Sequence, residues 1–142
     1  MPNKKIFIIE DDADLLYGLE SQFVADDFEV ETSAGEEELS EVLDGLRNFS
    51  PDYLILDLIL PKLDGFDIIK KIKADDELRD IQIFIFTDLS DEDSRQRSLQ
   101  LGADFVFLKE EFDTYDFSEK IKKIIANQSK NSFEGEEDGL ID

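Results

Sequence analysis

The stretch DYLILDLILPKLDGF, residues 52–66, decides the fold. Its first half is an unbroken run of apolar strand formers, the pattern of a strand buried on both faces of a parallel sheet. That run carries one carboxylate, Asp57, and leads into Pro61 and Gly65, which signal a turn. A carboxylate at the mouth of a buried strand is costly unless something compensates it. The stretch therefore predicts a central strand over 51–58 and a cation, a set of hydrogen bonds, or both, at Asp57.

Outward from it, the chain alternates. KKIFIIE (4–10) reads as a buried strand, and residues 11–27 as a helix with Leu15, Leu16, Leu19 and Phe23 on one side. FEVETS (28–33) alternates apolar and acidic residues and reads as a strand near a sheet edge. Residues 35–49 form an acidic helix with Leu39, Val42, Leu43 and Leu46 inward, its acidic first turn suited to the helix dipole. After the central strand come a helix over 66–75 with Ile68, Ile69 and Ile72 inward, and a strand over 81–87. A helix over 90–104 is next, with Ser90 and Asp93 as a capping pair and Gly102 as the stop. The last pair is a strand over 105–109 and a helix over 116–128 with Phe117, Ile121, Ile124 and Ile125 on one face. Five strands each followed by a helix predict an α/β domain: a mainly parallel sheet with helices on both faces. The domain spans residues 1–128. Residues 129–142, SKNSFEGEEDGLID, read as a flexible acidic tail or linker stub.

Composition narrows the chemistry. A chain of 142 residues builds one domain with a real core. Its 37 acidic and 15 basic residues give a net charge of −22, and no basic patch stands out, so direct nucleic-acid binding is not expected. There is no His and no Cys, which removes disulfides, thiol catalysis, Cys/His zinc sites and every His general base. No apolar run reaches membrane-spanning length and MPNKK leads straight into a strand, so the expected location is the cytoplasm.

In open parallel sheets functional groups gather at the carboxyl ends of the strands. Here those ends hold Glu10, Asp11 and Asp12, then Asp57, then Thr87 with Asp88 behind it, then Lys109. Three close carboxylates repel unless a cation sits among them. Such an oxygen set suits Mg²⁺. Lys109 would neutralise one carboxylate and hold an anionic group, and the Thr87 hydroxyl would donate to it. The set is built to place a phosphoryl group on Asp57 as nucleophile. Each piece alone has a plainer reading: an acidic triplet after a strand is more often a helix N-cap, a role expected for Asp12 in any case. A strand-end Thr or a snorkelling Lys is equally ordinary. Their joint placement carries the signal.

On the motifs IFIIEDD, LILDLILPKLDG, FIFTD and LGADFVFLK, the chain resembles the receiver domain of two-component response regulators over residues 4 to 127. The resemblance implies a flavodoxin-like sheet of order 2-1-3-4-5. It implies phosphorylation of Asp57 by a histidine kinase or a histidine phosphotransfer protein. It makes Glu10 and Asp11 the acidic metal pair, Ile59 the residue whose backbone carbonyl completes the metal shell, Thr87 the switch hydroxyl and Lys109 the phosphoryl-contacting amine. Three positions depart from the family pattern. Glu110 stands where Pro follows the Lys across a cis peptide, Asp88 stands where a small residue is usual, and Val106 stands where a switch Tyr or Phe is usual. Phe105 and Phe107 flank Val106, but strand alternation turns them to the opposite face.

The expected function is a phosphorylation-activated signalling switch. It would act through a downstream protein partner or through an output domain outside this chain, without turnover beyond its own phosphorylation and dephosphorylation. Two alternatives stand beside it. An aspartyl-phosphate phosphatase needs an acid two residues after its nucleophile, and that position is Ile59. A receiver-like interaction module not controlled by phosphorylation would not need the intact acids.

Overall fold

The computed structural model describes residues 3–141, with side chains described for residues 3–128. Its elements run β1 (Lys5–Ile9), α1 (Ala13–Ala25), β2 (Glu29–Ser33), α2 (Leu39–Phe49), β3 (Tyr53–Leu56), α3 (Gly65–Lys73), β4 (Gln82–Thr87), α4 (Glu92–Leu101), β5 (Phe105–Leu108) and α5 (Thr114–Ile141). The five strands are all parallel in the order β2-β1-β3-β4-β5, the flavodoxin-like arrangement expected from the sequence.

Burial follows the apolar pattern. β3 is buried at every position, and β1 and β4 at all but their first residue, because helices cover both faces of the sheet centre. β2 is an edge strand and exposes Glu29, Glu31 and Thr32. Its charged side chains discourage pairing with another chain. One core layer joins Phe7, Ile9, Leu54, Leu56, Ile83 and Ile85 of the sheet to Val42, Leu43 and Leu46 of α2 and Phe66, Ile68, Ile69 and Ile72 of α3. The other joins Ile6, Ile8, Ile55, Phe84 and Phe86 to Leu19 and Phe23 of α1 and Phe117, Ile121 and Ile125 of α5. Each fully buried Ile, Leu or Phe contributes about 1.5–3 kcal/mol relative to exposure.

Local chemistry sets the helix starts. Asp12 caps α1 by accepting from the amides of Asp14 and Leu15. Asp64 caps α3 by accepting from the Phe66 amide at 2.9 Å. Gly65 is required next because a Cβ there would lie 2.5 Å from Leu58 Cα and 2.9 Å from the Asp57 carbonyl. Thus α3 starts tight against the strand end that carries Asp57.

Two local expectations are corrected. α2 begins at Leu39, not 35, so Glu36, Glu37 and Glu38 precede it and only Glu41 lies in its first turn. The reason is a loop that turns at Gly35 (φ 74°), where the Ser33 hydroxyl donates to Glu37 and accepts from the Gly35 amide. The cap of α4 is Asp91, which accepts from the Ser94 amide at 2.9 Å, rather than Ser90 with Asp93. A carboxylate is the stronger acceptor and wins the position. The backbone of α5 starts at Thr114, slightly ahead of the expected 116, and continues as helix to Ile141, past the expected end at 128 and into the segment read as a flexible tail. Among the described residues no helix is long and apolar enough to cross a membrane.

Candidate functional site

The sheet places one functional side chain after another along its carboxyl edge, and it pins each through the backbone. The Glu10 amide donates to the Ser33 carbonyl at 3.0 Å, the Asp57 amide to Ile9 at 3.1 Å, and the Lys109 amide to Thr87 at 2.9 Å. These bonds extend the strand ladders by one residue into the site. β1 and β3 are neighbours because the chain runs outward to β2 and then crosses back, so Glu10 and Asp57 sit at the point where strand order reverses.

The acids converge as expected. Carboxylate oxygens of Glu10, Asp11 and Asp57 lie within 4.8 Å of one another. Glu10 and Asp57 are buried and Asp11 is exposed. Lys109 brackets the two buried acids: its Nζ lies 2.7 Å from Glu10 Oε1 and donates to Asp57 Oδ2 at 2.8 Å. Three carboxylates against one ammonium leave a charge of −2 when all are ionised. Burial, above all, pushes the Glu10 carboxyl up to about 7, although hydrogen bonds from Lys109 and the Asp12 amide oppose the shift. Burial works to lower the Lys109 pKa, yet the hydrogen bonds to Asp57 and Glu10 outweigh it and hold the amine above its ordinary value. A two-acid environment thus keeps the lysine charged.

The remaining predicted residues fall around this cluster. The Ile59 amide donates to Asp57 Oδ1 at 3.2 Å, and its side chain is 52% exposed beside the acids. Thr87 is fully buried at the end of β4, and its Oγ1 accepts from the Leu89 amide at 3.3 Å. That bond uses a lone pair and leaves the hydroxyl proton available. Asp88 is exposed. Val106 packs against the α2/α3 core layer, while Phe105 and Phe107 pack on the α1/α5 side, as strand alternation requires. Among the described residues no peptide bond is cis, so Lys109–Glu110 is trans.

Two features were not anticipated from the sequence. The first is that Lys109 contacts both buried acids rather than one. The second is an aromatic cluster under the site: Phe86, Phe107, Phe112 and Phe117 are in ring contact, and Phe84 stacks on Phe105. Its signal was present, since six of the chain's 12 Phe residues fall between positions 84 and 117.

The donor set fits a small hard cation. All the ligands are oxygens, two are buried acids with a shortfall of positive charge, and one exposed acid leaves room for water.

Comparison with known proteins points the same way. A family model described as the response regulator receiver domain matches residues 6–122. The response regulator protein GraR of Staphylococcus aureus is 33% identical over 100 residues, which cover 70% of this chain and 42% of GraR. The chain spans about half the length of the curated relatives it matches. The CheY-like receiver domain protein of Methanospirillum hungatei is 26% identical, with a TM-score of 0.76 over 91% of this chain and 98% of that one. The phosphorylated cyanobacterial phytochrome response regulator RcpA is also 26% identical, with a TM-score of 0.72 over 86% of this chain and 91% of that one.

Proposed function

The chain belongs to the response regulator receiver domain family, and from that premise we propose that Asp57 is its phosphoacceptor and that phosphorylation there switches its surface. The observation that carries this reading is the bracket of Lys109 between Glu10 and Asp57 at the centre of the sheet edge. A phosphohistidine on a histidine kinase or a histidine phosphotransfer protein is the donor. RcpA, which has been solved phosphorylated, supports the analogy.

In the transfer, a carboxylate oxygen of Asp57 forms the new P–O bond as the donor's N–P bond breaks, and the donor imidazole leaves with the electron pair. Lys109 holds Oδ2, while Oδ1 carries only the longer bond from the Ile59 amide, so Oδ1 is the freer nucleophile. The Lys109 ammonium then offsets charge on the phosphoryl oxygens, and the Thr87 hydroxyl donates to one of them. Glu10, Asp11, Asp57 and the Ile59 carbonyl would hold Mg²⁺. When bound, that cation supplies the positive charge which three acids and an incoming phosphoryl group lack. The phosphorylated domain then acts on a downstream protein or on an output domain. For an output domain, residues 129–142 serve as the linker. The setting is the cytoplasm.

The test is incubation of the protein with a small acyl-phosphate donor, with and without Mg²⁺, and measurement of intact mass. One phosphoryl group, added only with the cation and labile to base, is the expected result. No addition would overturn the assignment.

The metal has its own test. Mg²⁺ titration monitored by amide shifts is expected to saturate, with the response centred on residues 10–12 and 57–59. Asp11→Ala should weaken it by about tenfold or more. The pH dependence stems from Glu10. Its carboxyl has a folded pKa of about 7 against an ordinary 4.5, so the folded protein holds a proton that the unfolded chain releases. Metal-free stability should therefore fall as pH rises through that window. Mg²⁺ needs the ionised acid, so its apparent affinity should rise with pH up to about 7 and level off above it. Affinity that is flat across the window would remove Glu10 from the ligand set.

Lifetime is set by access of water in line with the P–O bond. Ile59 is half exposed next to Asp57 and has no group to orient that water. Leu89, two residues after Thr87, is partly buried against the α2/α3 core layer, which makes the exposed Ile59 the main shield. Ile59→Asn is expected to speed decay of the phosphorylated protein by about tenfold after donor removal. Equal decay in both proteins would show that apolar shielding does not control the lifetime.

A further inference from the structure

β5, the strand just before Lys109, turns its rings to the α1/α5 side of the sheet. Phe107 meets Phe112 edge-on at 5.4 Å and Phe117 at 5.5 Å, and Phe117 stacks on Phe86 at 3.8 Å. Phe86 immediately precedes Thr87, and Phe107 lies two residues before Lys109 on the same side of β5. Phe86 and Phe107 are register partners across β4 and β5. Strand alternation turns the Thr87 side chain to the Val106 side, so the aromatic cluster meets the phosphoryl site through Lys109. On the opposite face, Val106 offers only a short side chain packed among aliphatic residues.

From this arrangement we propose that the phosphorylated state is transmitted through Phe107, Phe112 and Phe117 to the 109–113 loop and the first turns of α5. The switched surface then lies on the α5 side of β5. The inference rests on phosphorylation of Asp57.

The physical chain is short. Lys109 Nζ sits between Glu10 and Asp57. A phosphoryl group carries its charge farther from the sheet than the bare carboxylate does, so an ammonium that tracks it leaves Glu10. The Lys109 amide is tied to Thr87, which restrains the strand side of the residue. Displacement is therefore directed into residues 110–112. Glu110 and Glu111 are exposed and have nothing packed to move, whereas Phe112 is half-buried against Phe107. Phe117, one turn into α5, is fully buried against Phe107 and Phe86. Close-packed rings do not deform continuously; they exchange between discrete arrangements, which is what a two-state element requires.

The experiment uses the full chain with Mg²⁺ and an acyl-phosphate donor, with modification read by intact mass and response read by amide and aromatic NMR on the same samples. In the modified wild type the largest shifts outside the acidic cluster are expected in residues 110–121, exceeding those in α4. Phe112→Leu should be modified as fully as wild type but lose about half or more of the shift in residues 113–121, while Val106→Ala should keep it. A modified protein whose shifts centre on α4, or whose α5 shifts survive Phe112→Leu unchanged, overturns the inference. Absence of the added mass would instead overturn the assignment of Asp57, and the inference with it.

Discussion

The Asp57→Asn protein is expected to accept no phosphoryl group and, without metal, to be more stable than the wild type. The first effect arises because an amide oxygen cannot replace the carboxylate as nucleophile, and neither Glu10 nor Asp11 has the Asp57 position between Lys109 and the Ile59 amide. The second arises from charge. At about pH 8, where Glu10 is ionised, Asp57 lies within 4.8 Å of both Glu10 and Asp11, and each pair repels by about 3.5 kcal/mol at an effective dielectric near 20. Asn removes both repulsions but gives up the attraction to Lys109, about 6 kcal/mol at 2.8 Å in the same dielectric. The balance is a gain of about 1 kcal/mol, measurable by chemical denaturation in the presence of a chelator. Adding Mg²⁺ should shrink the difference, because it stabilises only the protein that keeps all three acids. If Asp57→Asn is modified as fully as the wild type, the phosphoacceptor lies elsewhere.

Lys109→Met should do the reverse. The methionine retains much of the apolar stem and removes the only cation that contacts Glu10 and Asp57 among the described residues. Removing one partner of a largely buried ion pair costs about 3 kcal/mol, because the two buried carboxylates lose their counter-ion. The loss should be largest at about pH 8 and smaller at about pH 5, where Glu10 takes up a proton and one charge disappears. Mg²⁺ should recover part of it. A loss of equal size at both pH values would mean that packing of the stem, rather than charge, dominates.

The sheet was legible because its signals are local and periodic. Continuous apolar runs marked β1, β3 and β4 as interior strands, and the acidic alternation of Glu29 and Glu31 marked β2 as an edge. The acids, Thr87 and Lys109 were legible because they sit immediately after recognisable strands. Side-chain competition was harder to read. Glu36 to Glu38 look like a helix start, but the Ser33 hydroxyl captures Glu37 and the chain turns at Gly35 instead. Ser90 and Asp91 are adjacent capping residues, and the choice between them turns on acceptor strength at the helix start rather than on any periodic pattern. The double contact of Lys109 joins residues 99 and 52 positions apart, beyond the reach of any local pattern. The aromatic cluster required knowing that Phe86 and Phe107 stand side by side across two strands.

The pairing of β1 with β3 has a consequence for how the protein assembles. It joins residues 47 apart, Ile6 with Tyr53, whereas β1 and β2 join residues 24 apart, Lys5 with Glu29. Doubling a loop costs only about 0.6 kcal/mol of chain entropy. Yet this closure is also the one that sets Glu10 against Asp57, so it carries an electrostatic opposition that the β1–β2 pairing lacks. The slow, non-local event of folding and the charge conflict of the finished site therefore coincide at the central seam of the sheet. Salt and divalent cations are therefore expected to speed refolding as well as to load the folded switch, which refolding rates measured with and without Mg²⁺ would show.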